Sequence, residues 1–424
     1  MKALTFLSSI ILLFLSNFAA ADSPTAGQWD IERLQDTVPP STVLNDEAAI
    51  ISLTYEGEPI KGKKTEVFAL YASPKTLGED TASRSAPGIV LIHGGGGTAF
   101  ADWVWLWAER GYAAIAMDLA GCRPPDPEFD EEGQLLARSG FQRESRTRLE
   151  RGGLGHGPAE KFESIGGSAE DDWPYHAVAN VMRANSLLRS FDEVDPERIA
   201  VTGISWGGYT TCLVASLDDR FAAAVPVYGC GFLADGDSVQ RPAIDKLGSR
   251  RQQWISAYDP ASHLPKCQIP MLWVNGTHDV HYPLDSWARS YQLVSAPRQI
   301  RVEHRMGHSH QAGWAPIEIG IFVDSLLKGG DPLPEFDLPS IGLDGLFSVV
   351  FYNAVPLREA VLYYTSDEGL RAKRTWQAVE ATIDEEAGVI SAAFPHEANT
   401  WVLCVTDERG AMVSTDVGFR AEAP

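Results

Sequence analysis

Cysteine and basic residues are scarce in this chain of 424 residues. The five cysteines are odd in number and none of them pairs at zinc-finger spacing, which excludes a disulfide-rich scaffold; we expect most of them to be buried thiols. The 35 lysines and arginines face 57 aspartates and glutamates, giving a formal net charge of -22. A surface this acidic disfavours nucleic acids and anionic membranes as partners.

Long apolar runs are also missing, apart from one at the start of the chain. In "MKALTFLSSIILLFLSNFAAADS" a lysine precedes an apolar segment, which ends in small residues. That order is typical of a secretory signal peptide, and the segment is shorter than the roughly 20 residues of a spanning helix. We predict a cleaved signal over residues 1–21, a secreted or periplasmic protein, and no membrane contact after cleavage; an uncleaved anchor is the alternative.

The remaining length suggests two domains. After an extension (22–47), two alternating segments predict an antiparallel strand pair, and apolar strands then alternate with helical segments up to residue 332, which predicts an α/β domain with a mostly parallel, doubly wound sheet. Residues 122–172 are polar and rich in Gly and Pro, so they form either a lid or a long surface insertion. Residues 333–424 contain strand-like segments only and predict a small β-sandwich-like domain.

The strongest chemical motif is "VTGISWGGYT", in which residues 203–207 match G-x-S-x-G between an apolar strand and an apolar helix. The glycines permit a tight strand-to-helix turn that presents Ser205 as a nucleophile.

A second motif, "LIHGGGG", places glycines directly after a strand. Backbone N–H groups of Gly95 and Gly96, together with that of Trp206, are predicted to form an oxyanion hole. A nucleotide-binding loop is excluded because the run has neither G-x-G-x-x-G spacing nor a P-loop lysine. His93 is predicted to hydrogen-bond within the protein or to line the substrate site.

The order and spacing of "LIHGGGG", "VDPERIAVTGISWGGYTT", "DDRFAAAVPVYG" and "MLWVNGTHDVHYP" resemble the α/β-hydrolase superfamily, in the branch of dienelactone hydrolases, acetyl xylan esterases and prolyl-oligopeptidase-like enzymes. The segments "VLYYTSDEG", "RTWQAV" and "CVTDERGAMVS" are similar to the tail of PhoPQ-activated pathogenicity-related proteins. The superfamily order Ser, Asp, His implies Ser205 as nucleophile, Asp279 as acid and His308 as base. His310 and His304 are rival bases, and Asp285 is a rival acid.

The stretch "NGTHDVHYP" is also compatible with a metal site, because His278, Asp279 and His281, with two histidines of the next loop, are possible zinc ligands. A complete Ser-His-Asp set needs no metal, so we predict no metal and no cofactor. Trp206, His281 and His310 are predicted to line the substrate site.

These residues predict an exported serine carboxylic ester hydrolase that acts through an acyl-enzyme. The resemblance, together with the predicted export and the tryptophans, implies that it removes acetyl or methyl esters from carbohydrate, with a small-molecule or polysaccharide ester as substrate. The alternatives are a prolyl-oligopeptidase-like peptidase and a non-catalytic binding protein on a hydrolase scaffold.

Overall fold

The computed structural model describes residues 25, 27–79, 85–136 and 145–420, so the predicted signal peptide lies outside the described residues. The α-helices of this part are α1 (Ile31–Asp36), α2 (Ala101–Glu109), α3 (Trp173–Arg189), α4 (Trp206–Leu217), α5 (Arg241–Asp245), α6 (Arg251–Tyr258), α7 (Leu284–Tyr291), α8 (His310–Trp314) and α9 (Ile317–Leu327). Of these helices, none has the length and apolar character that crossing a bilayer requires.

The body of the molecule is built on β1 (Ser41–Asn45), β2 (Ile51–Ile60), β3 (Lys63–Ala72), β4 (Ala86–Ile92), β5 (Ala113–Met117), β6 (Cys122–Arg123), β7 (Thr147–Arg148), β8 (Val194–Ile204), β9 (Ala223–Val227), β10 (Met271–Gly276) and β11 (Arg298–Glu303). Strands β5, β4, β8, β9, β10 and β11 lie side by side and run parallel. The predicted pair β2 and β3 adds antiparallel at one edge. The parallel strands read as apolar runs because helices cover them, and β4, β5 and β9 are buried along their whole length.

The parallel arrangement decides where the loops meet. The glycine run follows β4, Ser205 follows β8, Asp279 follows β10 and His308 follows β11. Since the carboxyl ends of parallel strands share one edge of a sheet, these four loops lie together.

The C-terminal strands are β12 (Glu335–Phe336), β13 (Ser340–Ile341), β14 (Leu346–Tyr352), β15 (Leu357–Thr365), β16 (Gln377–Glu380), β17 (Thr382–Asp384), β18 (Val389–Ala393), β19 (Thr400–Asp407), β20 (Met412–Ser414) and β21 (Gly418–Phe419). They form a sandwich whose own small core lies between β14 and β18 on one side and β15 and β19 on the other. One of its two layers is continuous with the body: β20 pairs with β11, Ser414 opposite Ile300, and β19, β15 and β16 follow outward. The β domain therefore extends the central sheet.

The described parts of the predicted insertion pack against the body. They include the short antiparallel pair β6 and β7, a π-helical turn (Ala159–Glu163) and the buried side chains of Phe162 and Ile165. Whether residues 122–172 act as a lid stays a prediction.

All five cysteines are free, and four of them are buried, as predicted: Cys212, Cys230, Cys267 and Cys404.

Candidate active site

Ser205 occupies a strained turn between β8 and α4. Its backbone has φ 59° and ψ -115°, a conformation that side chains other than glycine rarely adopt. The glycines around it are required by space: a Cβ on Gly203 would lie 2.3 Å from the Gly207 carbonyl oxygen, and one on Gly207 would lie 2.0 Å from the Ile92 oxygen. This is the geometry that exposes a serine nucleophile at the top of a strand.

The structure brings Ser205, His308 and Asp279 together in one chain of hydrogen bonds. His308 Nε2 lies 3.0 Å from Ser205 Oγ, and its Nδ1 lies 2.5 Å from Asp279 Oδ2. The other carboxylate oxygen of Asp279 accepts the backbone N–H groups of His281 and Tyr282 at 2.7 and 2.8 Å. The buried carboxylate thus keeps Nδ1 protonated and leaves Nε2 as the acceptor that faces the serine hydroxyl.

Tyr228, which no sequence motif indicated, packs against the imidazole of His308. Its ring stacks on His308 with centroids 4.3 Å apart, and its hydroxyl donates to the Gly307 carbonyl at 2.6 Å. Tyr228 follows β9 with φ 64°. Burial raises the pKa of this phenol, so it remains a donor at ordinary pH. The position of Tyr228 at the end of a central strand was the sequence feature that could have indicated a role in the site.

The glycine run lies against the serine, and histidine rings hold two of its N–H groups. A Cβ on Gly94 would lie 3.1 Å from Ser205 Cβ. The Gly94 N–H donates to His310 Nε2 at 2.9 Å, and the Gly96 N–H donates to His156 Nε2 at 3.2 Å. The structure therefore differs from the predicted oxyanion role of Gly96, whose N–H is engaged within the protein.

The oxyanion role of Gly95 and Trp206 stays a prediction. Among the described residues, neither backbone N–H has a hydrogen-bond partner. A Cβ on Gly95 would lie 3.0 Å from Trp206 Cδ1, so the two residues adjoin beside Ser205. Their N–H groups form the candidate oxyanion hole.

Two histidines predicted to line the substrate site, His93 and His310, hydrogen-bond to the glycine run, and their contact with substrate stays a prediction. His93 is buried; its Nδ1 donates to the Gly94 carbonyl at 2.7 Å and its Nε2 accepts the Leu119 N–H at 2.9 Å. His310 accepts from Gly94 and packs on Phe100 with ring centroids 4.7 Å apart. Burial lowers the pKa of His93 to about 4 and that of His310 to about 3, so both rings are neutral acceptors at pH 7.

The rival residues lie outside the Asp279–His308–Ser205 chain. His304 stacks on Tyr363 of the β domain with centroids 5.1 Å apart, and Asp285 pairs with Arg371. His281 stays at the rim of the site, its half-buried ring 4.5 Å from that of His308, and a role in substrate binding stays a prediction.

The histidines of "NGTHDVHYP" diverge. His278 Nε2 lies 3.0 Å from the Arg374 carbonyl, which makes it a donor to the β domain, while His281 faces His308. Among the described residues, no three His, Cys, Asp or Glu side chains converge as a metal site requires. The absence of a metal requirement stays a prediction.

An aromatic wall flanks the nucleophile. The half-buried Trp206 contacts Trp173 edge-on at 5.8 Å and Phe162 at 5.9 Å between ring centroids. Phe162 comes from the insertion, as do His156 and Lys161, none of which the sequence pattern marked as site residues. A histidine, a lysine and an aromatic within "HGPAEKF" were the signal, but their chemistry depends on contacts far along the chain.

Comparisons with known proteins agree with this architecture. The Prolyl oligopeptidase family matches residues 151–315, a segment that contains Ser205, Asp279 and His308. The solved structure of an acetyl xylan esterase from Paenibacillus sp. R4 superposes with a TM-score of 0.50 at 20% identity, covering 70% of this chain and 92% of that one. Acetyl Xylan Esterase 1 from Thermoanaerobacterium sp. JW/SL YS485 gives a TM-score of 0.51 at 16% identity, covering 71% and 95%. The chain has the α/β-hydrolase fold.

One curated relative of this α/β hydrolase is the acylamino-acid-releasing enzyme of Arabidopsis thaliana, 29% identical over 173 residues. That match covers 36% of this chain and 21% of the relative, so it spans about a fifth of the relative's length. The family match, the fold and the hydrogen-bonded Ser-His-Asp set are together those of a serine hydrolase. The resemblance of the C-terminal segments to PhoPQ-activated pathogenicity-related proteins stays a prediction.

Proposed function

We propose that this serine hydrolase cleaves carboxylic esters of carbohydrate, removing acetyl or methyl groups through an acyl-enzyme on Ser205. The observation that carries the proposal is the unbroken chain from Asp279 through His308 to Ser205. Export by the signal sequence of residues 1–21 is part of the proposal, and it places the substrate outside the cytoplasm.

The first half-reaction acylates the serine. Ser205 Oγ attacks the ester carbonyl carbon as His308 Nε2 takes the hydroxyl proton. The negative charge that develops on the carbonyl oxygen is stabilised by the N–H groups of Gly95 and Trp206. The carbon–oxygen bond to the leaving alcohol then breaks, and His308 returns the proton to that alcohol.

The second half-reaction releases the acid. Water adds to the acyl carbon as His308 accepts a proton from it. The bond from the acyl carbon to Ser205 Oγ then breaks, His308 returns the proton to Oγ, and the carboxylic acid is released. Throughout, the carboxylate of Asp279 stabilises the imidazolium and keeps the ring oriented.

The carbohydrate part of the proposal draws on the aromatic wall. The indole of Trp206 is partly exposed beside the nucleophile, and such a surface suits a sugar ring. The two solved structures of the same fold described above are named acetyl xylan esterases, and the proposal takes its substrate class from them.

A peptidase is the second candidate, favoured by the Prolyl oligopeptidase match and by the acylamino-acid-releasing relative. The same residues would then attack an amide, and His308 would protonate an amine. The distinction lies in the leaving group, which aryl acetates and acylated peptide anilides report separately.

The test combines labelling with turnover. Ser205→Ala is expected to abolish fluorophosphonate labelling and hydrolysis of 4-nitrophenyl acetate, whereas Ser216→Ala, on the same helix α4 but bonded to the Cys212 carbonyl, leaves both intact. Acetate and methanol released from acetylated and methylated polysaccharides then identify the ester. Labelling of the Ser205→Ala protein, or turnover of peptide anilides alone, would contradict the proposal.

A further inference from the structure

A lysine ammonium is packed inside the candidate active site. Lys161 lies in the π-helical turn Ala159–Glu163, which turns both Lys161 and Phe162 inward; Lys161 is only 8% exposed. The backbone of this turn is fixed by a hydrogen bond, because Trp254 donates its indole N–H to the Lys161 carbonyl at 2.8 Å. The ammonium group therefore has a defined place.

That place adjoins both residues of the candidate oxyanion hole. Lys161 Nζ lies 4.2 Å from the centroid of the Trp206 ring and 5.4 Å from that of Trp173. A Cβ on Gly95 would lie 3.9 Å from the same nitrogen. Among the described residues, Lys161 has the only ammonium group this close to Gly95. The same group lies over the ring of Trp206.

The charge of Lys161 reaches the histidines that hold the glycine run. The pKa values of His93 and His156 are lowered to about 4, mainly by burial, and the positive charge of Lys161 is one of the smaller causes of both shifts. Charges in a water-poor site act over several ångströms because the effective dielectric constant is far below that of water. Negative charge formed beside Gly95 would therefore be attracted by the ammonium.

We propose that Lys161 adds a positive charge to the oxyanion hole and so stabilises the tetrahedral intermediate on Ser205. The inference rests on the proposed function, since it requires an oxyanion to form beside Gly95 and Trp206. Lys161 transfers no proton and forms no covalent bond in this role. The N–H groups supply directional hydrogen bonds, and the ammonium group supplies electrostatic attraction. Lys161 therefore lowers the energy of the transition state and not that of the bound substrate. We expect it to accelerate the hydrolysis of neutral esters as much as that of charged ones.

The experiment compares Lys161→Met, which keeps length and loses charge, with Lys161→Arg, which keeps charge. With neutral 4-nitrophenyl acetate we expect kcat to fall about 10- to 100-fold in Lys161→Met while KM changes little. Lys161→Arg should retain most of the activity. A trifluoromethyl ketone, which forms an anionic hemiketal on the serine, should bind more weakly to Lys161→Met in proportion to the loss of kcat/KM.

Structural damage is controlled by the thermal midpoint of each variant. If Lys161→Met does not fold, the fluorophosphonate labelling rate of Lys161→Gln gives the same comparison, because that reaction also places a charged oxygen in the hole. Full activity of the neutral variants on the aryl acetate would overturn the inference. So would a loss confined to KM for substrates that carry a carboxylate. A wild-type protein inert to both reagents would instead remove the proposed function itself.

Discussion

Arg371 forms an ion pair with Asp285, with 2.9 Å between Nε and Oδ2. Arg371 belongs to the β domain, and Asp285 lies in the first turn of α7, shortly after Asp279. On the other side of Asp279, His278 donates from Nε2 to the Arg374 carbonyl. The β domain therefore holds the segment that carries the candidate catalytic acid at both ends.

Breaking this contact should lower turnover modestly. Arg371→Met is expected to reduce kcat for 4-nitrophenyl acetate up to about fivefold, because a partly exposed ion pair contributes at most about 1 kcal/mol. KM should stay unchanged. Lys373→Met, at an exposed position of the same turn, is the matched control, and equal losses in the two variants would refute the coupling.

Removing the β domain should unfold the protein rather than only weaken binding to a polymer. Val413 of β20 is 1% exposed and belongs to the same apolar core as the body. A chain ending at Leu333, or the substitution Val413→Asp, should therefore give insoluble protein or a greatly lowered thermal midpoint. Val350→Asp, at an exposed position of β14, should be tolerated. A soluble, active truncated enzyme would show the domain to be dispensable.

Asp279 should matter far more than its histidine neighbours. Asp279→Asn is expected to lower kcat about 10³- to 10⁴-fold, since an amide in this position favours the wrong tautomer of His308. His278→Ala and His281→Ala should each stay within about tenfold of wild type. Steady-state kinetics of the three variants decide this, and similar losses in all three, with inactivation by a chelator, would favour a metal site.

Alanine should be far more disruptive at Gly207, in the serine turn, than at Gly153, in the insertion. A Cβ on Gly207 would lie 2.0 Å from a backbone oxygen, whereas one on Gly153 meets nothing within 4 Å. Gly207→Ala should displace α4 and remove fluorophosphonate labelling, and Gly153→Ala should label at the wild-type rate. Labelling of Gly207→Ala at that rate would mean that the turn adapts without disturbing Ser205.

Acid should destabilise the protein through His93. Its folded-state pKa of about 4 lies below the unfolded value of 6.5, so the unfolded chain binds more protons between these values. The stabilisation is complete above pH 6.5 and is lost as the pH falls from 6.5 towards 4, by roughly 3 kcal/mol in total.

Urea unfolding at pH 7.5 and pH 5.0 measures this loss. His93→Gln, which can still donate and accept, should lose less stability between the two pH values than wild type. His396→Gln, at an exposed position of the β domain, is the control. An unchanged loss in His93→Gln would assign the acid sensitivity to other groups.

Much of the fold and the centre of the candidate site could be predicted from patterns of neighbouring residues in the sequence. Ser205 could be located because its glycines and flanking apolar segments are adjacent in the chain. Asp279 and His308 could be located through the superfamily order Ser, Asp, His, in which each follows a strand, and parallel strands bring their ends together. Gly96 was misassigned because nothing near it in sequence shows that His156 takes its N–H.

The contacts of the insertion and of the β domain were also hard to predict, because they join residues that are distant in the sequence. Lys161 gains its place from Trp206 and Trp254, which come much later in the chain. The junction between β11 and β20 also joins distant segments, although the continuous apolar run of β19, buried on both faces, was a sign that this strand does not face solvent.

The continuous sheet also determines what the molecule presents at its borders. Strand β11, the last of the parallel set, has both neighbours occupied within the same chain. The described outer borders are β1 and β16, five and four residues long. Short border strands offer few backbone N–H and C=O groups to another chain. By covering β11 and ending in a short strand, the C-terminal strands therefore disfavour edge-to-edge association of this acidic protein.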